Sequence, residues 1–407
     1  MAAMDRPNQA RPGGRLPRQV VALGWVSLLT DAASDLVHPL LPALLASLGA
    51  GPASLGWVEG IAEGVSAVAK LTVGRLSDRT RRRKPWVLAG YGIATLVRPL
   101  IGLAGATWQV VAIRSIDRVG KGMRGPPRDA LLAEAVPAER RGAAFGYHRM
   151  MDNVGASLGP LAAFALLRFG HVTVSRLFWL SLVPGVASWL VLLFAVRDEP
   201  RRAPPPAPAV ATAAHEPRAP SPTLPSGARR YLVALGLFAL AGSTDAFLLQ
   251  RLLDLGLEVA LVPIAWLSLQ LAKALLNVPG GRLSDAFGRR RVLLAAWGVY
   301  ALAYGAFGLA STVALFWFAM VLYALHYGLA EGGQRALLAD LVPEGTRGHA
   351  FGVAQALEGI AVLPANAGFG LLYAHCGARV AFGAGAAIAA AACVALAVAV
   401  PRRVPAA

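Results

Sequence analysis

Charge is scarce in this chain. Of its 407 residues 15% are charged and 56% are hydrophobic, and the mean hydropathy is +0.54. That excludes an ordinary soluble domain, in which about a quarter of residues carry charge. Acid is scarcer still, with 22 Asp and Glu against 39 Lys and Arg for a net charge of +17. There are two cysteines; Cys376 and Cys393 lie in or beside the last apolar stretches and read as small apolar fillers rather than a disulfide. No loop of the form GxxxxGK[ST] occurs, so ATP does not drive the molecule directly, and no cofactor is expected. The N-terminal stretch lacks a short apolar core followed by a small-residue cleavage site, and no cleaved signal peptide is expected.

What is abundant is apolar sequence in long runs. About twelve stretches of some twenty residues are each long enough to cross a hydrocarbon core of about 30 Å as helix. Helix is the reading, because each segment in lipid must satisfy its own backbone hydrogen bonds, and these runs are too long and evenly apolar for barrel strands. The excess of positive charge is explained by side. Arg6, Arg11, Arg15 and Arg18 precede the first run, and the connections holding Arg79 to Lys84, Arg140 and Arg141, Arg201 and Arg202, Arg289 to Arg291, and Arg402 and Arg403 alternate with connections nearly free of Lys and Arg. The positive-inside rule then puts both termini in the cytoplasm, in a bacterial-type cytoplasmic (inner) membrane, with the bilayer rather than nucleic acid as the partner of the basic loops. The expected species is a monomer.

The Pro-rich segment 199–228 reads as a cytoplasmic linker between an N-terminal bundle of about six helices (19–198) and a C-terminal one (229–400), with tails at 1–18 and 401–407. The halves repeat: GRLSDRTRRRK at 74–84 returns as GRLSDAFGRRR at 281–291, RDALLAEAVPAERRGAAFG at 128–146 returns as RALLADLVPEGTRGHAFG at 335–352, and Thr30-Asp31-Ala32 returns as Thr244-Asp245-Ala246. A parallel repeat of this kind puts a solute path between the halves, near the midplane.

At these residues the chain resembles the major facilitator superfamily over essentially its whole length. The pattern GxLxDxxGRR is met in the second copy by Gly281, Leu283, Asp285, Gly288, Arg289 and Arg290, while the first copy has Arg81 where Gly is usual. The resemblance implies an all-α membrane fold and a secondary transporter. It also implies a cytoplasmic latch that stabilises the outward-facing state, built from Gly74, Asp78, Arg82 and Glu134 in the first half and Gly281, Asp285, Arg289 and Asp340 in the second. In the fifth span Gly146, Gly155, Gly159 and Pro160 follow Gx8Gx3GP, which resembles the antiporter motif of proton-coupled drug exporters, although the usual closing glycines are replaced by Ala163 and Phe164. Packing of small residues between membrane helices is the plainer reading of the same glycines.

Ionisable groups at membrane depth are costly and mark a wet cavity or a partner. Asp31, Asp35 and His38 share one face of about 60° in the first span, and Glu59, Glu63, Ser66 and Lys70 form a stripe in the second. His148, Arg149, Asp152 and Asn153 cluster in the fifth span, Asp245 stands in the seventh, His326, Glu331, Gln334 and Arg335 in the tenth, and Gln355, Glu358 and Asn366 in the eleventh. In the fourth, Arg114, Arg118, Lys121, Arg124 and Arg128 fall within an arc of roughly 120°. Two readings of that face stay open. Arg118 and Lys121 reach the cavity and bind an anionic solute, or the cations pair with Asp117, Asp129, Glu63 or Asp152 and hold helices together. Arg118 with Gly122 also fits the superfamily pattern RxxQG, with Lys121 in place of Gln, and the resemblance associates that arginine with proton coupling. A longer string, RxGKGxRxxPRDA, is similar to a branch of permeases of unspecified substrate.

The function expected is proton-coupled export of a polar or anionic organic molecule. Asp31 or Asp35 carries the proton, with Glu59 and Glu63 in reserve. The solute groups are Asp31, Asp35, His38, Arg118, Lys121, His148, Arg149, Asp152, Asp245, His326, Glu331, Gln355 and Glu358. Proton-linked uptake and carriage of a metal or metal chelate are the alternatives within transport, the latter because Asp31, Asp35 and His38 offer suitable donors. A membrane-embedded enzyme is the alternative outside it.

Overall fold

The computed structural model describes residues 16–79, 83–137, 140–197, 224–343 and 346–400. The expected C-terminal tail, residues 1–15 of the N-terminal one and most of the linker lie outside these residues, as does Arg82, and so do the side chains of Asp78, Asp285 and Glu331. Every regular element among the described residues is helical. The first half holds α1 (Arg18–Asp35), α2 (Leu41–Ser47), α3 (Pro52–Arg79), α4 (Lys84–Val97), α5 (Thr107–Glu134), α6 (Arg141–Arg168), α7 (Val174–Leu180) and α8 (Leu182–Ala195). The second holds α9 (Ser226–Ala241), α10 (Ala246–Asp254), α11 (Val262–Phe287), α12 (Arg289–Leu309), α13 (Val313–Asp340) and α14 (Arg347–Ala399). Helix α9 starts inside the stretch read as linker, with Pro225 as its N-cap residue, where a missing N–H costs nothing.

The breaks have causes in the sequence. Pro39 and Pro42 end the path of α1 and start α2 through a 3₁₀ turn at His38–Leu40. Pro99 turns the end of α4 into a 3₁₀ segment, Arg98–Leu103. Gly377, at φ 82° and ψ 167°, divides the long α14 into two helices in a conformation only glycine adopts readily. Among the described residues nine helical stretches are long and apolar enough to cross a membrane. Helices α3 and α5 are equally long, at 28 residues each, but are too charged to count among them.

The apolar core is divided unevenly. At one face residues of both halves form a single cluster, with Leu36, Leu40 and Leu44 from the first and Phe247, Leu252 and Phe369 from the second. At the other face, which carries both ends of the described chain, the halves have separate cores. One holds Val20, Leu23, Val136 and Val196, the other Tyr231, Leu235, Val342 and Val400. The halves also meet along two seams, α3 with α14 and α6 with α11. The first seam is at backbone contact, since a Cβ on Gly56 would lie 2.4 Å from the Asn366 carbonyl oxygen. The two halves therefore join at one face and part toward the terminal face.

Candidate functional site

Between the halves lies a chamber of about 660 Å³, walled by α1, α3, α5 and α6 on one side and by the end of α9, α11 and α14 on the other. It shares Asp245, Trp266, Gln270, Tyr327 and Glu358 with a second space of about 560 Å³ inside the second half. That space extends toward the terminal face past Tyr231, Gln334 and Leu338. Most of the polar residues singled out in the sequence line these two spaces: Asp31, Asp35, His38, Glu59, Glu63, Arg118, Lys121, Arg149 and Asp152 the first, His326 and Gln355 the second, and Asp245 and Glu358 both, while His148 lines neither.

The cations of α5 divide between the two readings of the sequence. Arg114 is 3% exposed and donates from Nε and Nη2 to Glu59 Oε1, at 3.1 and 3.0 Å. It also donates to His38 Nδ1 at 2.7 Å, which fixes His38 as the tautomer with its hydrogen on Nε2, since a guanidinium only donates. Arg118 stands between two carboxylates, 3.1 Å from Glu63 and 4.0 Å from Glu59. It is thus a paired cation on the chamber wall and not the free anion-binding fork expected. Lys121, one turn further on, is exposed to the chamber and makes no hydrogen bond or ion pair with a described residue. Arg124 lies over the Tyr91 ring at 4.4 Å and leaves its buried Nη1 without a hydrogen-bond partner, so the expected pairing with a carboxylate is replaced by a cation–π contact. Arg128 pairs with Asp129 at 2.8 Å.

Sequence reasoning missed Arg98, whose Nη2 donates to buried Asp117 at 3.0 Å; an arginine inside an apolar run was the signal. In α6, His148 Nδ1 is 3.4 Å from Asp152, while the Arg149 side chain is 74% exposed. Asp31 makes no hydrogen bond or ion pair with a described residue. Asp35 accepts from Trp266 Nε1 at 3.3 Å across the halves, and the Trp266 ring meets His38 edge-on at 5.2 Å. His38 is thereby engaged on two sides. Among the described residues no three His, Cys, Asp or Glu side chains converge as a metal site.

In the second half the rod is interrupted at the repeated Thr-Asp-Ala. The backbone groups freed between α9 and α10 find side chains: Asn366 Oδ1 accepts from the Thr244 N–H at 2.7 Å, and Tyr300 donates to the Ala241 carbonyl at 3.3 Å. The interruption presents Asp245, which accepts from Lys273 at 2.6 Å and from the Tyr323 hydroxyl at 2.6 Å. Neither partner was singled out in the sequence, though a lysine inside the eighth apolar run carried the same signal as the residues that were. His326 is buried with Nδ1 on the Ala296 carbonyl at 2.8 Å, and Glu358 accepts from Gln334 at 3.3 Å.

The glycine motif of α6 faces α1. A Cβ on Gly155 would lie 2.2 Å from the Leu28 carbonyl oxygen and one on Gly159 2.6 Å from that of Ala32, whereas Gly146 has open space. At the terminal face Arg289 pairs with Asp340 and Arg83 with Glu134, the latter at 2.9 Å. Arg290 donates to the Ala397 and Val400 carbonyls, and Lys84 to that of Leu193. In the aligned repeat Arg289 corresponds to Arg82 and Arg290 to Arg83. The first half therefore makes the same two contacts one residue later. The second turn has Gly288 at φ 88° immediately before α12, and the first copy has no glycine there.

The sequence profile of the Major Facilitator Superfamily matches residues 23–269 and 232–407. An MFS-type transporter of Methanocaldococcus jannaschii is 29% identical over 364 residues, 88% of this chain and 89% of that protein. The multidrug resistance protein MdtG of Salmonella paratyphi C is 31% identical over 180 residues, covering 43% of this chain and 44% of its own length. Among solved structures, a bacterial homolog of the human lysosomal transporter Spinster, inward-facing and unoccupied, superposes with a TM-score of 0.72 at 17% identity over 95% of this chain and 96% of that one. The repeated halves, the charged chamber between them and the profile match across both make this chain a multi-pass membrane transporter, not an enzyme, and a member of the Major Facilitator Superfamily.

Proposed function

We propose that this transporter is a proton-coupled exporter of a polar or anionic organic small molecule, working by alternating access. The carrying observation is the one-sided seal: the halves share an apolar core at one face and have separate cores at the other, with the charged chamber between. The proposed topology is about twelve crossings in two bundles, 19–198 and 229–400, joined by the Pro-rich segment; the lengths of α3 and α5 and the break of α14 at Gly377 support that number. With the basic loops in the cytoplasm, the terminal face is the cytoplasmic one, and the state described is open inward. The protein is then a monomer of the cytoplasmic membrane. Arg83–Glu134 and Arg289–Asp340 each hold helices of one half together at the terminal face, and the latch of the outward-facing state would add contacts between the halves to them.

Asp31 and Asp35 are the proton carriers: Asp31 lines the chamber with no partner among the described residues, and Asp35 is the acceptor of an inter-half bond that protonation would alter. Lys121 supplies the anion-binding charge. Efflux is favoured by the close packing of Gly155 and Gly159 on α1 and by the partial relative named as a multidrug resistance protein.

The test uses protein reconstituted in liposomes, with anionic, neutral and cationic solutes first ranked by thermal stabilisation. The highest-ranked anion should exchange against an imposed proton gradient, and the double substitution Asp31→Asn with Asp35→Asn should abolish the coupling. Proton-driven exchange that survives both substitutions would overturn the assignment; stabilisation by hydrophobic cations alone would overturn the solute class.

A further inference from the structure

We propose that Asp245, Tyr323 and Tyr327 form a receptor for an organic ammonium group, with the side chain of Lys273 as its built-in occupant. The solute is then amphoteric, with its anionic group toward Lys121 and its amine in this cage. That last step rests on the export reading above; the cage does not.

The geometry is that of a cation held by its own host. Lys273 Nζ lies 2.6 Å from Asp245 Oδ2, 3.9 Å from the centroid of the Tyr327 ring and 5.3 Å from that of Tyr323. The Tyr323 hydroxyl donates to the other Asp245 oxygen at 2.6 Å. A carboxylate with electron-rich ring faces beside it binds alkylammonium and quaternary ammonium groups. The fixed parts of the site, on α13 and at the α9–α10 interruption, are all of this kind. Its one cation sits on a flexible four-carbon stem from α11 and can swing out. Taking Lys273 away leaves a complete ammonium site. Taking Asp245 away leaves a lysine against ring faces, whose negative quadrupoles disfavour an anion.

The cage is also placed to receive a solute. Asp245 and Tyr327 wall both spaces, so the site opens on the chamber that holds Lys121. Tyr300, Trp266 and Gln270 line the approach, a surface suited to the apolar body of a small amine. An incoming ammonium and the Lys273 ammonium cannot share one carboxylate without repulsion, so binding releases Lys273 from Asp245.

The experiment reads that release in the unaltered protein. Purified transporter is treated with an amine-acylating reagent, and modification of Lys273 is followed by peptide mass spectrometry, with tetramethylammonium chloride as the probe and sodium chloride at equal ionic strength as control. Tetramethylammonium should accelerate acylation of Lys273 several-fold and leave surface lysines unchanged, and Tyr327→Ala should remove the acceleration. In parallel, ethylammonium should raise the melting temperature of Lys273→Ala in proportion to the logarithm of its concentration, and Lys273→Ala with Asp245→Asn should not respond. Equal acylation rates in the two salts would overturn the proposal, whether or not Lys273→Ala folds. Both readouts are binding measurements and do not depend on proton coupling. A cage that responds in a protein without proton exchange would leave the receptor standing and remove the proton coupling of the export reading.

Discussion

Arg118 and Lys121 stand three residues apart on α5 in opposite circumstances, and substitution should separate them. Arg118 is held by Glu63 and Glu59; Glu59 keeps Arg114 and the Glu63 side chain is 33% exposed, so Arg118→Gln should destabilise the protein by about 1–3 kcal/mol for any solute. Lys121 has no described partner; Lys121→Gln should change stability by less than about 0.5 kcal/mol. The same change should weaken anion binding by about 1.5–3 kcal/mol, the worth of a charge-assisted hydrogen bond. Melting temperature and solute affinity measured on the same two samples check both. A Lys121→Gln protein with unchanged preference for anions would remove Lys121 from the site. The sequence made the basic face of α5 plain, because 3.6-residue spacing depends on nothing outside the helix. Which cation was free depended on Glu59 and Glu63 of α3 reaching Arg118, and on Tyr91 of α4 lying under Arg124, and such partnerships between helices leave no periodic trace.

At the level of the helix, the three glycines of α6 are unequal although the motif treats them alike. Gly155→Ala and Gly159→Ala place a methyl inside the backbone of α1 and should cost about 1–3 kcal/mol through separation of the two helices. Gly146→Ala should be neutral in melting temperature and in transport. Equal loss at all three positions would mean that the motif acts through something other than packing. Gly288 belongs to the same scale. Its backbone at φ 88° is open to glycine and strained for other residues, and it starts α12 in register for Arg289 to reach Asp340. The repeated GRLSD stretches announced the turn at Gly288, and its counterpart at 80–82 lies outside the described residues. The ion pair of Arg83 with Glu134 was not anticipated in the sequence, where Arg82 was named and lies outside the described residues. The interruption between α9 and α10 was harder to see, because Gly242 to Thr244 read as small residues inside an apolar run, and the side chains that satisfy its backbone come from α12 and α14.

For the whole molecule, the alternating access proposed above, acting on an unevenly divided core, predicts two states of different heat capacity. In the opposite-open state Leu40 and Leu44 would part from Phe247 and Leu252 and be wetted. At the terminal face the closing surfaces carry polar and charged groups of the chamber mouth, among them Gln334, Arg335 and Glu358. Hydrating apolar surface raises heat capacity and hydrating polar surface lowers it, so the change across the cycle is positive toward the state that opens the seal. The equilibrium between states should therefore curve with temperature, with cooling loosening the apolar seal as the hydrophobic term weakens. A single cysteine at Leu44, in protein freed of Cys376 and Cys393, would report the open fraction by its labelling rate between near-freezing and body temperature. A straight van't Hoff line would sink the idea. A curved one would mean that the growth temperature of the host sets how long this transporter waits on each side, with no solute or proton involved.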